Sequence, residues 1–138
     1  MNVLLKNTIT GGIITGIYCF LIGKSIDMPE GNWIESYLPI FMNIVYGIGT
    51  LVQVLAFLFI SNIKAQGKML DSLLDARPEV FLNPLVSSVT FSCHLILMTI
   101  LWYVGWHTTL LMVLSYAIIS ATWHTSVRTL AKNKNSFI

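Results

Sequence analysis

The sequence predicts an all-α polytopic membrane protein: one domain spanning residues 1–138, four transmembrane helices, both termini cytoplasmic and an amphipathic cytoplasmic connector at 62–80. Three observations carry this. The chain is 55% hydrophobic and 10% charged, where a soluble domain carries roughly a quarter charged residues. Its mean hydropathy is +0.75, and the apolar residues form four long runs divided by short polar connectors. The cations are segregated as well. With four crossings, Lys6, Lys64, Lys68, Arg77, Arg128, Lys132 and Lys134 share one side, and Lys24 stands alone on the other. Lys and Arg are retained in cytoplasmic loops. Trp33, Tyr37, Trp102, Tyr103 and Trp106 then gather at the outer interface as an aromatic belt.

The first segment, residues 8–23, is short for a span that needs about 20 residues. It is expected to borrow residues 3–7, with Lys6 reaching back to the interface. No Ala-x-Ala-like cleavage site follows it, so it reads as a retained helix and not as a signal peptide. Two stripes of small residues run along it at helical spacing: Thr8, Gly12 and Gly16, and beside them Gly11, Thr15, Cys19 and Gly23. Such faces let helix backbones approach closely in lipid. Gly12 and Gly16 are therefore expected to pack helices, within the chain or between subunits of a homo-oligomer.

A polar connector, 24–37, leads to the second segment, 38–60. Asn43, Gly47, Thr50, Val54, Phe57 and Ser61 share one of its faces, with Gln53 on the flank. A polar stripe in a membrane helix is expected to turn inward for hydrogen-bond partners. Helix is expected to continue through 62–76, where Ile63, Leu70, Leu73 and Leu74 oppose Lys64, Lys68 and Asp71. That arm suits either the membrane surface or a cytoplasmic protein partner, with Lys64, Lys68, Leu70, Leu73, Leu74 and Arg77 as docking residues. Arg77-Pro78 ends it. Asn83-Pro84 starts the third segment, 84–104, as a cap followed by proline in the first turn. Gly105 turns the chain directly into the fourth, 108–129, with Arg128, Lys132 and Lys134 as a basic tail.

The chemistry-bearing residues concentrate in the last two segments. Ser87, Thr90 and His94 share one face of the third, and Ser88, Ser92 and Thr99 another; Tyr116, Ser120 and His124 form a stripe on the fourth. Together with Asn43 and Gln53, the residues Ser87, Thr90, His94, Ser120 and His124 suit a polar packing face or a pore lined by hydroxyls. His94, His107 and His124 are expected at different depths, which argues against one haem or metal shared by two of them. Cys19 and Cys93 differ in depth too and read as free thiols. No cofactor is expected. No carboxylate lies inside a span to couple transport to protons, and no nucleophile–base pair or phosphate-binding glycine loop is visible, so an enzyme is not expected. A net charge of +2 gives no reason to invoke nucleic acid.

At Tyr46-Gly47-Ile48-Gly49-Thr50, then Ala56-Phe57-Leu58-Phe59-Ile60 and the basic connector, the chain resembles small phage-exclusion and anti-phage defence membrane proteins of the RexB and KwaA type. The resemblance implies a bacterial inner-membrane protein that responds to phage infection. It would act as an ion-conducting pore or as a sensor holding a cytoplasmic partner. Three functions thus stand as expectations: an oligomeric scaffold or sensor that docks a cytoplasmic partner, a channel or small-transporter subunit, and a membrane protein conferring immunity to a toxin. The first makes a direct prediction. A cytoplasmic protein should co-purify in mild detergent, and Leu70→Asp, Leu73→Asp or Leu74→Asp should release it; retention by all three variants refutes the docking arm.

Overall fold

The computed structural model describes residues 3–62, 66–68, 71–72, 75 and 84–136. Four long helices carry the fold: α1 (Val3–Asp27), α2 (Trp33–Ser61), α3 (Pro84–Val104) and α4 (His107–Ser136). All four are long and apolar enough to cross a membrane, over Leu4–Asp27, Trp33–Ser61, Pro84–Val104 and His107–Lys132. The chain is a multi-pass membrane protein, as its sequence predicts. Residues 66–68, 71–72 and 75 of the connector are also helical.

Each helix runs beyond its hydropathy limits where nothing stops it. α1 takes in residues 3–7, as its short apolar run requires, and continues to Asp27 because Pro29 is the first breaker. α2 starts at Trp33, five residues before the apolar run, because Asn32 caps it. The Asn32 side chain accepts from the Glu35 amide at 3.0 Å, and the Glu35 carboxylate accepts from the Gly31 amide at 3.1 Å. The two bonds satisfy orphan amides reciprocally at the helix start. Asn32 Nδ2 also donates to the carbonyls of Ser25 and Pro29, tying the end of α1 to α2. Gly31 supplies the positive φ of 76° this tight connection needs. At the far end of α3, Gly105 (φ 87°) ends the helix, and the amides of Gly105 and Trp106 both donate to Leu101 O at 3.1 Å. That left-handed cap reverses the chain into α4 within two residues.

The packing order is not the chain order. α1 packs along α3, α3 along α4 and α4 along α2, whereas α1 and α2 barely touch although they are consecutive. The bundle is thus a ring with one loose seam. At the end holding the aromatic belt it is filled by Ile22, Met42, Leu97, Met98, Leu101 and Val113, most of them fully buried. Trp33, Tyr37, Trp102 and Tyr103 stand exposed on the outside of that end. Towards the chain termini Ile60, Trp123 and Val127 close the α2–α4 seam, and among the described residues a space is left beside α1 and α3.

Lipid offers helices no hydrophobic reason to associate, so close backbone approach carries the packing. Gly11, Gly47 and Gly49 mark the approaches: a Cβ there would lie 3.3 Å from Cys93 Sγ, 2.8 Å from Met112 Cε and 2.7 Å from Tyr116 Cε2. Gly12 and Gly16 behave differently from the in-chain packing expected of them. Both are exposed and nothing lies within 4 Å of a Cβ built on either, because the neighbouring stripe through Gly11 and Thr15 faces α3. Gly49→Leu should therefore cost about 1–3 kcal/mol through overpacking against a ring that cannot swing away. Gly12→Leu should leave stability in detergent near wild type. Equal thermal-unfolding midpoints for the two variants would contradict this packing.

Candidate functional site

One aromatic ring from each helix meets at the centre of the bundle. Tyr46 of α2 lies 6.3 Å from Tyr18 of α1, 6.0 Å from His94 of α3 and 5.3 Å from Tyr116 of α4, centroid to centroid. His94 and Tyr116 close the group at 5.3 Å. The tilted and edge-on angles, 44° to 77°, are those that ring quadrupoles favour. Tyr46 is 8% exposed. It reaches its place because Gly49, nearly one turn further along the same face, lets α4 bring Tyr116 against the α2 backbone.

Beneath these rings, on the side of the chain termini, two cavities adjoin. The larger, about 510 Å³, lies among all four helices and includes Tyr18, Tyr46, Tyr116, His94, Thr90 and Cys93 in its wall. The smaller, about 160 Å³, runs between α3 and α4 past Ser87, Thr90, His94, Tyr116, Ser120 and His124. Asn7, Thr90, His94 and Tyr116 line both, so the two are lobes of one chamber whose largely apolar wall carries a few polar groups. Among the described residues no Asp, Glu, Lys or Arg lines either lobe.

Both histidines are fixed in the same way. His94 Nδ1 lies 2.8 Å from Thr90 O, and His124 Nδ1 lies 2.8 Å from Ser120 O. A carbonyl only accepts, so each Nδ1 carries the proton, and Nε2 of His94 presents its lone pair to the chamber. His94 is therefore held by the backbone and not by a neighbouring hydroxyl, because the Thr90 hydroxyl donates to Val86 O at 3.0 Å. His94 lies level with Tyr116, eight residues before His124, which separates the imidazoles by about 12 Å along the bundle. Among the described residues no group of three His, Cys, Asp or Glu side chains comes together as a metal site. Cys19 and Cys93 are free thiols.

The structure sorts the remaining candidates. Ser87, Thr90, His94, Ser120 and His124 share the chamber. Asn43 and Gln53 do not line it. Gly47–Met112, Gly49–Tyr116 and Phe57–Trp123 fix a register in which Asn43 lies level with Thr109 and Gln53 with Ser120 along α2 and α4. The buried amide oxygens of Asn43 and Gln53 find no partner among the described residues. The α2 stripe lies on the flank of the buried face, where Met42, Tyr46 and Ile60 take the centre and Val54 and Ser61 point outward. On α3, Ser88, Ser92 and Thr99 are exposed and donate to the carbonyls four residues back.

Arg128 is not part of a solvated tail. α4 continues through it to Ser136, since no Pro or Gly interrupts residues 107–136, and Arg128 Nη2 donates to Ser87 Oγ at 3.1 Å. This bond ties α3 to α4 at the chamber's terminal end. Of the docking residues, Lys68 is helical and exposed; Lys64, Leu70, Leu73, Leu74 and Arg77 lie outside the described residues. The sequence reading placed Tyr116 on a stripe with Ser120 and His124 but did not single out Tyr18 or Tyr46. Their signal was position: Tyr18, Tyr46 and Tyr116 lie deep in apolar runs, away from the interfaces where tyrosine usually sits. No protein-family model, curated protein or solved structure matches the chain.

Proposed function

We propose that this chain is a non-enzymatic sensor of a bacterial inner membrane, whose chamber takes up a small ligand. Its state would be reported to a cytoplasmic partner through the connector at 62–80. The observation that carries the reading is the asymmetry of the bundle interior. One half holds a chamber with hydroxyl, imidazole and phenol groups in its wall, reaching towards the end that holds the termini, and the other half is sealed by fully buried Ile22, Met42, Leu101 and Val113. A chamber of about 510 Å³ lies within the range of small-molecule sites. A receptor needs one open end; a conducting pore needs two.

The positive-inside rule supports placing the open end in the cytoplasm. Exposed Lys68 on the helical part of the connector supports an output there. The outward Gly12–Gly16 face of α1 is compatible with a second copy in a homo-oligomer. Response to phage infection, implied by the resemblance to exclusion and defence proteins, belongs to this reading as its trigger. The channel or small-transporter reading keeps one support of its own, the hydroxyl and imidazole lining of Ser87, Thr90, His94, Ser120 and His124. It requires the apolar half to open.

Sided labelling separates the two. In Cys19→Ser protein, a charged methanethiosulfonate reagent should modify Cys93 in inside-out vesicles and leave it intact in right-side-out vesicles. Filling the smaller lobe with Ser120→Trp should slow the inside reaction at least tenfold. Modification at equal rates from both sides would refute the sealed receptor and favour the pore. No modification from either side would refute both.

A further inference from the structure

We propose that the chamber's ligand is an amphiphile dissolved in the bilayer, with an uncharged planar oxygen-bearing head of the quinone or hydroquinone class and an apolar tail. The proposal rests on the receptor reading and adds a class of ligand and a route of entry to it. Three observations converge on it. First, the loose α1–α2 seam forms an apolar groove of about 440 Å³, walled by side chains such as Ile17, Leu21, Ile34 and Phe41. Ile14 and Tyr18 belong to the walls of both the groove and the chamber, so the two spaces adjoin with only these side chains between them. A molecule filling both must be polar at one end and apolar at the other.

Second, the chamber asks for hydrogen bonds without charge. The hydroxyls of Tyr18, Tyr46 and Tyr116 have no hydrogen-bond partner among the described residues. They can donate to ring carbonyls, and His94 Nε2 can accept from a ring hydroxyl. Among the described residues no Lys or Arg lines the groove or the larger lobe to neutralise a phosphate, and burying an unpaired charge is costly. That argues against a phospholipid head. Third, the polar wall is aromatic, with the faces and edges of four rings clustered at 5.3 to 6.3 Å, which suits a flat head that stacks. The proposal concerns binding alone and involves no transfer of electrons.

Cys93 lines the chamber and supplies the readout. In Cys19→Ser protein in phosphatidylcholine nanodiscs, decylubiquinone should protect Cys93 from N-ethylmaleimide in a saturable manner. Tyr46→Phe keeps the ring and loses the hydroxyl, and should raise the half-protecting concentration about fivefold, as for one hydrogen bond. Ile14→Trp, at a half-exposed position, should block the junction and abolish protection while Cys93 still reacts. With Cys93 reactive, three results overturn the proposal: no protection, equal protection by added phosphatidylglycerol, or full protection surviving both substitutions. The first of these leaves the receptor reading standing with a water-soluble ligand. An unreactive Cys93 overturns the two together.

Discussion

Tyr46 is where the four helices become one structure. Consecutive α1 and α2 hardly touch, and the ring order runs α1, α3, α4, α2. Below the apolar layer of Ile22, Met42, Leu97 and Val113, which joins all four helices at the belt end, Tyr46 is the side chain that reaches across the interior. Tyr46 touches a ring from each of the other helices, and its position depends on Gly49, since only a residue without Cβ lets Tyr116 stand where it does. Aromatic pairs contribute about 0.5–1.5 kcal/mol each beyond area. In lipid, where apolar area gives no preference for helix over solvent, those terms and close backbone contact carry the weight.

A tyrosine placed for packing also leaves a phenol that must be answered. In water an exposed hydroxyl is hydrated; at mid-bilayer it is satisfied by protein, by ordered water or by a ligand. Serine and threonine avoid the problem here. Thr8, Ser61, Ser92, Thr99, Ser115, Thr122 and Thr129 each donate to the carbonyl four residues back and face outward without an orphan group. Tyr18, Tyr46 and Tyr116 have hydroxyls too far from their own backbone to do so. The chamber beneath them is the consequence of using large polar rings as the keystone of an apolar bundle.

This difference decides what was legible in the sequence. Four spans, their limits to within a turn or so, the belt of Trp and Tyr at one end and the shared face of Ser87, Thr90 and His94 all follow from hydropathy and helical spacing. The inward direction of a polar stripe does not, because Ser and Thr satisfy themselves locally and carry little information about facing. The Ser88–Ser92–Thr99 face of α3 and the outward Ser61 of the α2 stripe were misleading for that reason. Arg128 was hidden by a different rule. Hydropathy ends the fourth span near Thr129, but helix continues wherever no breaker intervenes, and a long guanidinium can turn back along the bundle to Ser87. Which of two adjacent glycine stripes faces α3 is a matter of one residue's rotation, about 100°, and depends on tertiary fit that no spacing encodes.

The sealed half of the bundle bears on mechanism more than the polar half does. Hydroxyls lining a cavity are equally suited to conduction and to binding. Ile22, Met42, Leu101 and Val113 are not. Their side chains interlock at van der Waals contact above the tyrosines, and a hydrated path through them would have to separate α1 and α3 from α2 and α4. The first parting needed is at the α1–α2 seam, which is already loose; the second is at the α3–α4 hairpin, held by the Gly105 turn at one end and by Arg128 and Ser87 at the other. Opening the loose seam alone admits a molecule from the bilayer into the chamber without joining the two sides of the membrane. The loose α1–α2 seam is therefore the place where this bundle opens at least cost, and a path joining the two sides of the membrane needs the α3–α4 hairpin to part as well.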